Sequence, residues 1–440
     1  MKHLSRQFLL IFLFWMIIGT LQSAESEDPF QIDLSITRCQ QYLVAEGFEN
    51  VQFSFTRNHS LWITYENRVY RNEITALGIV LYYVAKNFPL INSYVIIPLF
   101  QDIPLFFLQI NRSDYTDFMS NQIRAEEFLE RLSISYHTPS ERPIRGYQSQ
   151  KINLSRFRMD LEFAPGLRSQ FGRPGDPMQM QFNILGNISS TFARGLSLKA
   201  QWIAPIYNEF RSYEDEQRPG HLFLSQFIRL PQAYFISVSA GLFENQVYGV
   251  SSQVSKFFFC SRLIVLARLD YLNFGERCFF NSYFTTNPDH YNYLAGIQYN
   301  LQSVNFSTRL TWGKFLLGDR SWKLDVVRSF DELEIGFMGI WNETLGVLTG
   351  MTVRVPFPIA RHAAPAPSRI RSTNYVNWNY RYLPRYEGYI TESGVEINDI
   401  YRYVSRGFLV QNIDSIKTAM RHARFYDPYR HGTFASGGNK

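Results

Sequence analysis

After its first two dozen residues, the chain has no apolar stretch long enough to cross a bilayer as a helix. Cysteine is scarce. Cys39, Cys260 and Cys278 give no disulfide framework. Cys260 and Cys278 flank one expected strand, and partners separated by a membrane-spanning strand lie too far apart to bridge. Charge is thin as well. Charged residues make up 19% of the chain, the formal net charge is +6, and Lys and Arg are scattered rather than clustered. That pattern excludes nucleic acid as a partner. His137, His221, His290, His362, His422 and His431 have no metal-ligand spacing. There is neither a Gly-x-Ser-x-Gly elbow nor a nucleotide loop. No cofactor, no metal and no catalytic residue is therefore expected.

Aromatic residues are abundant. They reach 16%, with 27 Tyr and 38 Phe, although mean hydropathy is only −0.19. Many aromatics without overall hydrophobicity fit a wall with one apolar face, a polar lumen and aromatic girdles. The N-terminus has a basic start (Lys2, His3, Arg6), an apolar run over 8–18 and a small-residue cut point at Ser23-Ala24. This reads as a secretory signal peptide over residues 1–24, with no following cysteine for a lipid anchor.

From 196 to 355, apolar side chains recur at every second position in segments of about ten residues, the pattern of a transmembrane β-barrel. Leu196, Leu198, Ala200 and Trp202 alternate with Ser197, Lys199 and Gln201. Leu263, Val265, Ala267, Leu269 and Tyr271 alternate with positions that include Arg268 and Asp270. The strands drawn are 153–163, 178–186, 196–204, 222–230, 233–243, 247–257, 263–272, 291–301, 304–313, 321–329, 333–341 and 349–356. Twelve antiparallel strands satisfy the even count of single-chain bacterial barrels, and the range extends to fourteen if the tail contributes two. Links after the first, third and seventh strands are long (164–177, 205–221, 273–290). Those after the fourth, eighth and tenth are tight, at Pro231-Gln232, Gln302-Ser303 and Asp331-Glu332. Outer-membrane barrels have long extracellular loops and short periplasmic turns, so the N-terminal unit is placed in the periplasm.

That unit, residues 28–136, reads as a separate α+β domain in the order helix, hairpin, helix, hairpin, helix. It is a duplicated α-β-β pattern whose apolar stripes are ordinary core. Residues 137–152, with Pro139, Pro143 and Gly146, read as a linker, and 153–357 as the barrel. Residues 358–440 form a spacer and tail. In it 374–382 and 401–410 are either two further strands or an appendage, and 415–424 is a short basic helix.

Several motifs resemble a known family. They are Gly47-Phe48-Glu49-Asn50-Val51, Tyr65-Glu66-Asn67-Arg68-Val69-Tyr70, Phe192-Ala193-Arg194-Gly195-Leu196 and Pro205-Ile206-Tyr207-Asn208. Ser239-Ala240-Gly241-Leu242-Phe243-Glu244 and Gly313-Lys314-Phe315-Leu316-Leu317-Gly318-Asp319 follow in order. Together they resemble the YjbH/GfcD family of outer-membrane proteins of exopolysaccharide and capsule operons. The resemblance implies a part in export or surface assembly of an extracellular polysaccharide, alongside other export components, and brings no catalytic residues with it.

The candidate lumen residues are Arg156, Arg158, Lys199, Arg268, Arg309, Lys323 and Arg354 against Asp160, Glu162, Asp270, Asp325 and Glu334. They form either a cross-strand salt-bridge ladder filling the lumen or a mildly cationic path for an anionic glycan. Tyr207, Phe210, Tyr213, Phe279, Phe280, Tyr283 and Phe284 in the loops either contact glycan or pack over the barrel mouth. Partners are then outer-membrane lipid and polysaccharide. A porin is the alternative, and a barrel-type lipid or glycan hydrolase a third reading.

Overall fold

The computed structural model describes residues 29–139, 143–172, 175, 177–210, 212–243, 247–276, 283–285, 291–316, 319–342, 346–363, 366–382, 393–402 and 405–425. The expected signal peptide, Cys278, Phe279 and Phe280 lie outside them.

The N-terminal part runs α1 (Pro29–Glu46), β1 (Glu49–Thr56), β2 (Ser60–Glu66), α2 (Glu73–Asn87), β3 (Ser93–Phe100), β4 (Ile103–Pro104), β5 (Phe107–Asn111), α3 (Arg112–Met119), α4 (Ala125–Arg131), β6 (Ser133–Ser135) and β7 (Pro143–Gln148). One sheet orders these strands β6-β5-β3-β2-β1-β7, with β2 and β3 parallel and the other pairs antiparallel. Helix α2 starts at Asn72, whose side chain accepts from the Ile74 amide at 2.8 Å, an N-cap. Its Ile74, Leu77, Val80, Leu81 and Val84 are buried against the sheet. Within the stretch expected as a linker, 143–148 instead adds β7 to the sheet edge, with Ser54 opposite Gln148. Its expected Pro and Gly therefore sit in or beside a strand.

The second sheet closes on itself. Its strands are β8 (Met159–Phe171), β9 (Met178–Ala193), β10 (Leu196–Asn208), β11 (Arg218–Leu230), β12 (Tyr234–Phe243), β13 (Val247–Phe258), β14 (Leu263–Glu276), β15 (Tyr283–Thr285), β16 (Tyr291–Leu301), β17 (Phe306–Leu316), β18 (Asp319–Phe330), β19 (Leu333–Asn342), β20 (Gly346–Pro356), β21 (Ser368–Ser372) and β22 (Tyr375–Tyr382). β15 is a short extension of β14 within a loop, and β21 covers only the lower part of β8. The barrel proper therefore has 13 strands, not twelve. The thirteenth, β22, comes from the tail and pairs antiparallel with β20 but parallel with β8. An odd strand count forces one parallel seam, which the rule of even parity misses. Strand β8 also begins at Met159, six residues later than expected, so Arg156 and Arg158 precede the barrel wall.

Strand phase follows the alternation. Val265, Leu269 and Tyr271 are exposed on the outer surface, whereas Ile264, Leu266 and Asp270 between them are buried. Trp202, Tyr291, Tyr299, Trp312, Trp322 and Trp341 are also outward and exposed.

Apart from a small cluster of its own (Trp62, Val95, Ile97, Leu99 and Phe107), the N-terminal unit shares its core with the rest of the chain. Its buried Phe106 and Tyr136 belong to one cluster with Phe227, Phe235, Phe257 and Ile264 of the barrel and Ile397, Tyr401 and Ile416 of the tail. It sits on the barrel end that carries the tight turns. Gly195, in the β9–β10 turn with φ +73, donates its amide to the Gln101 carbonyl at 2.8 Å. A Cβ there would come within 2.1 Å of the Phe227 carbonyl oxygen, so the turn needs glycine. Arg229 caps the contact, donating to the carbonyls of Pro104 (3.0 Å) and Tyr136 and lying over the Phe107 ring.

Candidate functional site

Eight strands already enclose an interior that side chains can fill, so thirteen leave space for something more. The inner wall on one side is built from small buried hydroxyls and amides: Ser197, Ser225, Ser237, Ser239, Ser251, Gln253 and Ser255. Such side chains cannot span the interior.

Residues 393–402 do. This segment follows β22 and returns through the lumen to the N-terminal unit. Arg268 Nη2 donates to Ser393 Oγ at 2.6 Å, Ser251 Oγ donates to the Ser393 carbonyl at 3.2 Å, and the Val395 amide donates to Ser239 Oγ at 3.3 Å. Gly394 has φ +75, and a Cβ there would stand 2.8 Å from that of Ser239 and 3.4 Å from that of Ser251. Only glycine brings the backbone this close to the wall. Val395 packs on a buried patch of Phe223, Phe243, Val247 and Leu272. Glu396 meets Arg309 at 3.2 Å and Arg268 at 3.9 Å. The Ile397 amide donates to Gln253 Oε1 at 3.3 Å, and Asn398 Nδ2 to Gln298 Oε1 at 3.0 Å.

The segment then becomes helical. In α5 (Ile397–Tyr401), the Tyr401 ring packs edge-on or tilted against Tyr136, Phe235 and Phe257 and donates its hydroxyl to the Leu105 carbonyl at 3.2 Å. Arg402 pairs with Glu334 at 2.9 Å. Helix α6 (Arg406–Gln411) packs on the β16–β17 turn, and Asn305 Nδ2 donates to Gln411 Oε1 at 3.1 Å. Helix α7 (Ile413–Phe425) lies on α2, where a Cβ on Gly78 would stand 3.0 Å from that of Ala419. Within the expected strand 401–410, Tyr401 and residues 406–410 are thus helical.

The expected lumen charges divide into three sets. The first belongs to the barrel's junction with the N-terminal unit. Arg156 is exposed, 3.9 Å from Asp102, and Arg158 pairs with Glu49 at 2.9 Å. Asp160 takes Arg68 at 2.6 Å and Arg369 at 2.5 Å, and Glu162 takes Arg371 at 2.7 Å. Asp160 and Glu162 stand directly opposite Arg369 and Arg371 in the parallel ladder, so they stitch the seam. The second set pairs within the wall: Arg268 with Asp270 at 3.0 Å and Lys323 with Asp325 at 3.1 Å. The third faces the tail segment. Arg309 meets Glu396, Glu334 meets Arg402, and Lys199 lies in the field of Asp399 and Glu162. Arg354 stands opposite Glu334 in register and over the Tyr375 ring at 5.0 Å. A purely cross-strand ladder is therefore not what fills the lumen.

Tyr207 ends β10, is exposed, and donates its hydroxyl to Glu209. Phe210 lies under the Arg168 guanidinium at 4.0 Å. Tyr213 lies in a short 3-10 turn (Ser212–Asp215) beside the β10–β11 connection, and Tyr283 and Phe284 open β15 opposite Glu276 and Gly275. Cys260 is exposed in the β13–β14 turn and free.

Ser393, Glu396, Asn398 and Arg402 are the site residues that sequence reasoning missed. The signal was indirect: a row of inward serines too small to fill a barrel this wide.

These features define a closed β-barrel, capped at one end by an α+β unit and filled by its own C-terminal segment. The chain belongs to the YjbH exopolysaccharide biosynthesis family, whose profile, described as exopolysaccharide biosynthesis protein YbjH, matches residues 20–221 and 220–339. No curated protein matches it. The lumen segment 393–402 lies beyond the matched residues.

Proposed function

We propose that this protein is a non-enzymatic outer-membrane barrel that takes part in export or surface assembly of an extracellular polysaccharide, with its N-terminal unit in the periplasm. The carrying observation is a closed barrel of 13 strands, filled by a segment of its own, in a chain of an exopolysaccharide biosynthesis family. The exposed Trp, Tyr and aliphatic residues on the outer face suit lipid contact. The cap occupies the tight-turn end, the end that faces the periplasm in barrels of this kind. The filled lumen counts against an open porin. Other export components and an acidic polymer are the expected partners.

Deleting the gene should lower surface-bound and released polysaccharide, and the full-length chain supplied in trans should restore it. Unchanged polysaccharide in the deletion strain would remove this reading. Glycan or phospholipid cleavage by the purified protein would replace it with a hydrolase.

A further inference from the structure

We propose that the Arg268–Arg309–Lys323 cluster in the lumen is a binding site for the carboxylates of an acidic polysaccharide, and that Glu396 occupies it as an internal stand-in. The choice of polymer rests on the export reading above, whereas the carboxylate chemistry rests on the site itself.

The charge count makes the first argument. Three cations line this part of the wall, and Asp270 and Asp325 offset two of them through their pairs with Arg268 and Lys323. The third, Arg309, stands opposite Asp325, which already pairs with Lys323, and the carboxylate it hydrogen-bonds is Glu396 of the tail. With the segment displaced, a lumen cation stays uncompensated, which is costly unless another anion takes its place. Donor geometry makes the second. A guanidinium fits a carboxylate through two parallel N–H bonds. Arg309 gives Glu396 one, from Nη1 at 3.2 Å, while its Nε is buried without an acceptor. A carboxylate free of the segment's backbone can take the full fork.

The segment is also held in a way that permits exchange. Arg268 on Ser393, the buried Ile397 and Tyr401, and the Arg402–Glu334 pair anchor the segment on either side, whereas next to Glu396 its contacts to Ser239, Gln253 and Gln298 are single neutral hydrogen bonds. Each contributes about 1 kcal/mol net. The free space beside Arg309 is a cavity of about 80 Å³, lined by Gln298, Asn300, Ser307 and Asn398 and by apolar walls of Phe257, Ile264 and Val327. It holds a few waters but no sugar. A polymer therefore binds only when the segment leaves, and the two compete for one site. Competition from a tethered rival lowers apparent affinity by the fraction of molecules with the site vacant.

The test uses the full-length protein in lipid nanodiscs and fluorescent oligogalacturonate, with a neutral maltooligosaccharide of equal length as control. Glu396→Gln should tighten oligogalacturonate binding by roughly fivefold or more, within the usual range of coupling between linked states. Adding Arg309→Gln to that variant should abolish the gain. Ser251 Oγ and Ser393 Oγ are 3.5 Å apart. A Ser251→Cys/Ser393→Cys pair, with Cys260 and Cys278 replaced by Ser, should lock the segment. The locked protein should lose binding and regain it on reduction. Equal binding by locked and reduced protein, no gain from Glu396→Gln, or equal binding of the neutral oligomer would each overturn the proposal. Normal polysaccharide in a deletion strain, with these binding results intact, would instead remove only the export reading.

Discussion

The Glu73 carboxylate accepts from the Tyr65 hydroxyl at 2.7 Å and from Asn67 Nδ2 at 2.9 Å, and both bonds favour the charged form. Burial outweighs them and pushes its pKa up from 4.5 to about 7. A carboxyl whose folded pKa is raised contributes stability that is complete below the unfolded value and lost as pH rises through the folded one. The cap should therefore weaken between about pH 4.5 and 7, by on the order of 1–3 kcal/mol. Denaturant unfolding followed at Trp62 should show this slope in the native chain and lose it in Glu73→Gln; an equal slope in both would assign it elsewhere. At this scale the sequence discloses which way a side chain faces but not what it meets. The outward phase of Val265 and Leu269 is legible in period-two alternation. The partners of Asp160 are not, because Arg68 and Arg369 lie 92 and 209 positions away.

Each wall strand presents one face to the outer surface and the other to a lumen that already has an occupant. Val265 is outward and 41% exposed. Val265→Arg should cost ~2–4 kcal/mol if that surface meets hydrocarbon, the penalty for a mid-membrane charge on a barrel face. Gln298 is inward, accepts from Asn398 and donates to Asn300 at 2.8 Å. Alternation alone suggests that Arg is tolerated there; the lumen segment implies that it is not. Refolding into lipid vesicles, measured by urea titration, should show both variants destabilised. A neutral outcome for Gln298→Arg would mean that Asn398 does not reach it. Strand existence and phase were legible because the alternation is local. Strand number was not: the last barrel strand, β22, pairs with the first, β8, a contact no local pattern encodes, and even parity points to twelve.

At the scale of the whole chain, the tail closes what the head begins. The cap seals the tight-turn end, and 393–402 threads the lumen from the opposite end to reach it. The result is one core shared by cap, barrel and tail helices. The separate textures of 28–136, 153–357 and 358–440 are visible in composition. Their fusion is not, because it depends on contacts such as α2 with α7 and Tyr401 with Phe235 that no local pattern encodes. The most direct test of a membrane barrel shut by its own tail is ion conductance across a planar bilayer. The native protein should insert and carry no steady current, while a variant with 393–402 replaced by a Gly/Ser stretch of equal length should conduct. A steady open current from the native protein, or an inserted variant that stays closed, would contradict the account.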